Sequence, residues 1–356
     1  MYYNCHIHTF LNVDVPEKFL PLSLVRFLAS KERSRFLARI LHHINPFTDN
    51  DLFDRYARFL MTGGLDSQRS VLAKCAAYYP DGIKFVILPM DMAYMEAGRV
   101  PRPYDVQIAE LADLASENQA VIPFFHVDPR RPGVFDMFKK AVEKDGFRGL
   151  KIYPPLGYFP YDDRLYPIYK YCQTNHIPVI SHCSPYNAVH YRGCKHELLK
   201  MLSKSRIPLP DLKGKSKKEL CSCFSDPRNW TPVLEDFPSL KICIAHFGSN
   251  YYLDQYLDDP GQADNWFVII KKMLSDYPNL YTDISYTLND TDYFSVLKIL
   301  LTDKDLKHKI LFGSDYYMVQ TEAQERRFSM DLRAFLGEEN FNLIAMENPK
   351  RFLGER

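Results

Sequence analysis

Tyr2-Tyr3-Asn4-Cys5-His6-Ile7-His8 opens the chain as a strand-like run that ends on two histidines, two residues apart. Residues i and i+2 of a strand share one face, and two imidazoles on one face make half of a metal site. The same grammar, an apolar run closed by a polar residue, returns along the chain. Lys84–Met90, Ala120–Val127, Gly149–Tyr153, Pro178–His182, Lys241–His246, Leu280–Ser285 and Lys309–Gly313 complete a set of eight candidate strands. Near-continuous apolar runs, in place of strict alternation, suit parallel strands buried on both faces. Helical patterns fill the gaps, at Val106–Asn118, Val134–Lys144, Leu165–Asn175 and Trp266–Tyr277. Strand and helix in alternation imply either a closed parallel barrel or a doubly wound sheet.

The polar strand ends decide between the two. His182 closes the fifth run and His246 the sixth, and Asp315 follows the eighth in Leu311-Phe312-Gly313-Ser314-Asp315. A doubly wound sheet places its site at one switch point and would not gather the ends of strands one, five, six and eight. A barrel brings all of them to one mouth. The expected fold is therefore an α/β (β/α)8 TIM barrel, a single domain over residues 1–356. Two insertions, at about 11–64 and 184–230, leave the ends of strands 1 and 5. They read as lids or pocket walls, with peripheral decoration or an oligomer contact as the alternative.

Of 356 residues, 46% are hydrophobic and 25% charged, and the net charge is +1. These values suit a soluble chain with a sizeable core, and they give no basic stripe for nucleic acid. Lys213, Lys215, Lys217 and Lys218 read as a solvated face. No run approaches the ~20 apolar residues of a membrane helix, and the N-terminus lacks the features of a secretory signal. Eight scattered cysteines suit reduced thiols in the cytoplasm. The expected partner is a small-molecule substrate, not nucleic acid or a membrane. Assembly into a homo-oligomer stays open, with Tyr251-Tyr252 to Tyr256 as an interface or as the wall after His246.

The ordered set His6-x-His8, His182, His246 and Asp315 resembles the amidohydrolase superfamily, and within it the amidohydrolase 2 branch of hydrolases and of aminocarboxymuconate-semialdehyde and resorcylate-type decarboxylases. Gly149-Leu150-Lys151-Ile152-Tyr153-Pro154, Pro178–His182 and Phe312–Asp315 are similar to its blocks on strands four, five and eight, and Glu347–Leu353 to its closing helix. The resemblance implies one divalent metal held by His6, His8, His182 and Asp315, zinc by its donor set, with manganese or iron as alternatives. It also implies that Asp315 takes a proton from metal-bound water and that His246 acts as acid or base. Burying these groups without a metal would leave unpaired polar atoms.

Other residues take substrate roles in this reading. Lys151 is a cation for an anionic substrate or a neighbouring carboxylate, or a carboxylated bridge between two metals. Tyr153 shares its face. Arg130, in His126-Val127-Asp128-Pro129-Arg130, binds a substrate carboxylate or pairs with Asp128 or Asp315. Asp91 has a similar status. Tyr186, His190, Tyr191 and Arg192 suit a pocket wall, and Asp283 holds strand ends together. His42 and His43 lie on a helical face of the first insertion. The leading function is metal-dependent hydrolysis of an ester, lactone or amide of a small anionic molecule. The alternatives are non-oxidative decarboxylation of an aromatic or unsaturated acid, and metal binding without turnover.

Overall fold

The computed structural model describes residues 1–19, 52–288 and 290–355. Its eight strands are β1 (Tyr3–Ile7), β2 (Lys84–Ile87), β3 (Val121–His126), β4 (Gly149–Ile152), β5 (Val179–Ser181), β6 (Ile242–Ile244), β7 (Leu280–Asp283) and β8 (Ile310–Leu311). They pair in parallel, in chain order. The sheet returns on itself where Cys5 N–H donates to Phe312 O and Asp315 N–H to His6 O, both at 2.8 Å. Ile7 pairs in parallel with Tyr316 at the same seam. This is the expected TIM barrel. Every strand is shorter than its sequence run at one end or both, although the backbone N–H groups of Leu88, Val127, His182 and Ile284 still donate across to the neighbouring strand.

The two faces of the sheet form two cores. Phe85, Ile87, Val121, Phe125, Leu150, Ile152, Val179, Ile242, Ile244, Leu280 and Ile310 pack outward in the larger cluster with the helices. Tyr3, Cys5, Val86, Ile122, Phe124, Ile180, Cys243, Tyr281 and Leu311 fill the barrel in a second cluster, joined at its floor by Phe352 and Leu353 of the closing helix. That helix is pinned by Asn348, whose amide donates to Lys307 O and Ile310 O at 2.7 Å. The register slips between Asn4 and Ile7. A bulge of this kind re-aims side chains: Cys5 faces the interior core, and His6 next to it still reaches the mouth.

The helix at Val134–Lys144 matches its sequence span, and that at Trp266–Asp276 starts where Asn265 accepts from Phe267 N–H and Val268 N–H. The segment after β5 carries short helices at Lys195–Leu202 and Lys217–Ser222. Most of the first insertion, with His42 and His43, lies outside the described residues. All eight cysteines are free thiols. Among the described residues no helix is long and apolar enough to cross a membrane.

Candidate metal centre

At the mouth, three acceptor atoms face one another. His6 Nδ1 lies 2.8 Å from Asp283 Oδ2, a carboxylate that can only accept, so the ring proton sits on Nδ1 and Nε2 presents a lone pair. His8 Nδ1 lies 2.7 Å from Leu88 O, which fixes the same tautomer. His8 Nε2 and His6 Nε2 then point lone pairs at Asp315 Oδ1, from 3.1 Å and 3.7 Å. Neither His6 Nε2 nor Asp315 Oδ1 has a hydrogen-bond donor among the described residues, and both are buried. The ligand atoms of His6, His8 and Asp315 lie within 4.8 Å of one another. Converging unprotonated acceptors repel unless a cation lies among them, and imidazoles oriented by carboxylate or carbonyl acceptors are the usual surroundings of a divalent ion. Burial, then the Lys151 ammonium, lowers His6 to about 3, so the ring is neutral as a ligand must be. Burial alone would raise the Asp283 carboxyl, but the hydrogen bonds it accepts from His6 and Ser285 hold it well below the ordinary carboxylate range.

His246 and His182 form a chain beside this cluster. His246 follows β6 in a left-handed turn, with φ of 69° at His246 and 43° at Phe247. Asp283 Oδ1 accepts its N–H at 2.9 Å, and the Thr287 hydroxyl donates to its carbonyl. Its Nδ1 donates to Ser285 O at 2.9 Å, leaving Nε2 as a lone pair 3.0 Å from His182 Nδ1. At the far end His182 Nε2 meets Asn187 Oδ1 at 2.7 Å, and Asn187 is oriented by its amide donating to Ser184 O. Acceptors at both ends call for three protons on two rings that, when neutral, carry two. Burial, with the neighbouring His246, lowers His182 well below its ordinary value, which opposes the third proton. His182 adjoins His246 but lies outside the cluster of His6, His8 and Asp315.

The remaining candidates fall into three groups. Lys151 and Tyr153 are buried at the mouth. The Lys151 Nζ has no hydrogen-bond partner among the described residues, and burial lowers its pKa to about 8 against the pull of Asp283 and Asp315. Tyr153 lies over the His182 ring, with centroids 4.4 Å apart. Arg130 is engaged by Asp128 through Nε (2.8 Å) and Nη2 (2.5 Å), the internal pairing that the sequence left open. Arg131 holds Asp91 in the same two-pronged way, at 2.5 and 2.9 Å. In the third group, on the segment after β5, Tyr191 is buried against Gly157 and Gly193, and His190 Nδ1 donates to Asn187 O at 2.8 Å. Arg192 donates to Phe19 O at 2.7 Å. Tyr186 is exposed, packs edge-on to Tyr251 and lines an outer cleft with Pro185, Tyr252 and Trp266.

A family model described as amidohydrolase matches residues 5–354. The chain belongs to the amidohydrolase family. The branch is amidohydrolase 2, whose members are metal-dependent enzymes, hydrolases and decarboxylases among them. No curated protein matches the chain by sequence. Among solved structures, the amidohydrolase is similar to an uncharacterised TIM-barrel protein of Bordetella bronchiseptica, with 16% identity over 99% of this chain and 98% of that one and a TM-score of 0.54. It is also similar to a 5-carboxyvanillate decarboxylase of Novosphingobium aromaticivorans, solved with manganese and 3-methoxy-4-hydroxy-5-nitrobenzoic acid (14% identity, 99% and 97% covered, TM-score 0.57). A third is the IDCase of Metarhizium anisopliae (11%, 99% and 97%, TM-score 0.53). At these identities the likeness is one of fold.

Sequence reading missed three groups that shape the amidohydrolase mouth. Ser285 bridges Asp283, His6 and His246 through one hydroxyl, and Asn187 holds His182. Asn4 accepts from the backbone N–H groups of His6 (3.3 Å) and Ser314 (3.2 Å), which ties β1 to the turn before Asp315. Polar residues beside a ligand in sequence were the available signal for Asn4; nothing local marked Asn187. Gly313 makes the approach possible, since a Cβ there would lie 2.8 Å from His6 Cβ and 3.3 Å from its backbone nitrogen. Gly313→Ala is expected to cost ~1–3 kcal/mol through overpacking and to weaken metal binding by displacing His6. Thermal unfolding with and without zinc would show a smaller zinc-induced shift in the variant; an equal shift would mean that His6 does not feel the added methyl.

Proposed function

We propose that this amidohydrolase is a divalent-metal-dependent hydrolase of an ester, lactone or amide, a single catalytic domain over residues 1–356 that acts on a small molecule. The observation that carries this is the meeting of three unprotonated acceptors, His6 Nε2, His8 Nε2 and Asp315 Oδ1, each buried and none with a proton to share. A zinc or manganese ion bound there would supply Lewis acidity and lower the pKa of a coordinated water toward about 7. His182 would be the fourth ligand in this reading, since Asn187 holds its Nε2–H and Nδ1 keeps a lone pair. Asp315 also accepts the proton of the attacking water at its carboxylate. His246, oriented by Ser285 through Nδ1, would receive or return a proton at the mouth through its unprotonated Nε2. Asp283 keeps His6 in its ligand tautomer and holds the His246 turn.

Decarboxylation is the second reading. The fold shared with a 5-carboxyvanillate decarboxylase and the buried Lys151 cation favour it. In it Asp315 delivers a proton to carbon where hydrolysis has it accept one from water. A panel of lactones, esters and phenolic acids, offered to zinc- and manganese-loaded protein, separates the two. Acid released from esters or lactones supports the hydrolase; carbon dioxide released from phenolic acids, with the esters untouched, overturns it in favour of the lyase.

A further inference from the structure

Two buried donors inside the barrel lack an acceptor among the described residues: His126 Nε2 and Lys151 Nζ. Both residues are 0% exposed. They are register partners on β3 and β4, and both face inward, since His126 follows the interior Ile122 and Phe124 by alternation and Lys151 aligns with the interior Ile180. The His126 tautomer is fixed, because Asp91 N–H donates to Nδ1 at 2.7 Å and leaves the ring proton on Nε2. Nor can the lysine retreat toward the floor. Gly149, one inward position below it, has no side chain because the Phe124 ring fills that space; a Cβ there would lie 2.2 Å from the ring. The ammonium is therefore held up toward the mouth, where the charges of Asp283 and Asp315 act on it.

Native interiors pair their buried donors, and a buried ammonium needs charge as well as a hydrogen bond. No described residue accepts a hydrogen bond from either donor, and Asp283 and Asp315 act on the ammonium by charge alone. The nearby carboxylates Asp128 and Asp91 are already spent on Arg130 and Arg131. A divalent ion held at Asp315 would draw on the same two carboxylates, Asp283 and Asp315, that act on Lys151. A water could accept one hydrogen bond from each donor, but only an anion also meets the charge.

We propose that His126 Nε2–H and Lys151 Nζ form a two-donor subsite for one carboxylate-type oxyanion of the ligand, beside the metal centre and separate from its ligands. The subsite deepens the function proposed above and rests on it in one respect, that the carboxylate belongs to a molecule processed at the same mouth. It selects substrates whose carboxylate lies within one residue's reach of the reacting group, and it discriminates against their neutral amides.

Calorimetric titration of manganese-loaded protein with benzoate and with benzamide tests this. The wild-type chain binds benzoate at least ~10-fold more tightly than benzamide, and Lys151→Met and His126→Phe each remove most of that preference while benzamide binding stays as it was. Lys151→Gln replaces the methionine variant if that one does not fold, and the wild-type preference is read without any variant. Equal benzoate affinity in the wild type and the folded variants overturns the subsite, placing the carboxylate on the metal alone or a water between the donors. A carbamate at Lys151, seen by carbon-13 NMR after incubation with labelled bicarbonate, overturns it as well, because the nitrogen is then no cation. Failure of the wild type to bind manganese sinks the metal reading instead, and the benzoate preference is then read on the metal-free protein.

Discussion

Asp315→Asn is expected to lose about 10³-fold or more in turnover, and yet its metal-free form should unfold at no lower temperature than the metal-free parent. The two halves come from one geometry. Asp315 Oδ1 faces the lone pairs of His8 Nε2 at 3.1 Å and His6 Nε2 at 3.7 Å, so without an ion the carboxylate adds an acceptor where acceptors already crowd. An asparagine turned with its amide toward His8 supplies the missing donor and gains a hydrogen bond worth ~1 kcal/mol. With metal offered, the balance reverses. The variant has lost an anionic ligand and the group that takes or gives the proton, so zinc should raise its melting temperature much less than it raises that of the parent. Melting curves with EDTA and with zinc, beside turnover on whichever substrate the panel identifies, check both halves. A metal-free variant that melts well below the parent would show that Asp315 has a proton-bearing partner and that the three acceptors are not in conflict.

Glu325→Gln is expected to raise stability by less than about 1 kcal/mol at pH 5 and by about 3 kcal/mol at pH 8. Glu325 is 0% exposed, accepts from the Tyr79 hydroxyl at 2.5 Å, and has no partner for Oε2 among the described residues. Burial pushes its carboxyl up from 4.5 to about 7, only partly offset by the hydrogen bonds it receives. A raised carboxyl means that the folded state holds its proton while the unfolded chain has released it. Stability therefore falls as pH rises from about 4.5 to about 7, and the full cost is present above that. At ~1.4 kcal/mol per pKa unit the cost is on the order of 3 kcal/mol. Glutamine keeps the carbonyl that accepts from Tyr79 and has no charge to bury, so the slope disappears. Chemical unfolding at pH 5 and pH 8, with EDTA present throughout, measures it. Equal pH slopes for parent and variant would mean that Glu325 is ionised and solvated in the folded chain.

The barrel and the core of its mouth were legible for a local reason. A strand places i and i+2 on one face, so His6 and His8 had to share a direction, and a closed barrel had to bring Asp315 to them. The partners of the other groups were not legible, because each depends on a turn or a loop. Asn187 engages His182 through a loop whose course no periodicity reveals. Arg130 had two plausible acceptors, and the one two residues away won, as a short bidentate pair closes with little loss of chain freedom. Tyr186, with φ of 56°, turns to Tyr251 in the outer cleft, a direction that the polarity of its neighbours did not disclose. Lys151 was visible as a strand-four cation, but not that its ammonium would be buried without a hydrogen-bond partner among the described residues. Glu325, ten residues past Asp315 in a stretch without strand or heptad pattern, carried no mark at all.

The most direct measurement is metal content by elemental mass spectrometry, on protein purified without a metal-affinity tag, beside a His6→Ala/His8→Ala variant that circular dichroism shows to be folded. One zinc or manganese per chain in the parent, and essentially none in the variant, is the expected result. No bound metal in either protein, even after incubation with zinc and manganese, would contradict the metal centre and leave the three facing acceptors unexplained.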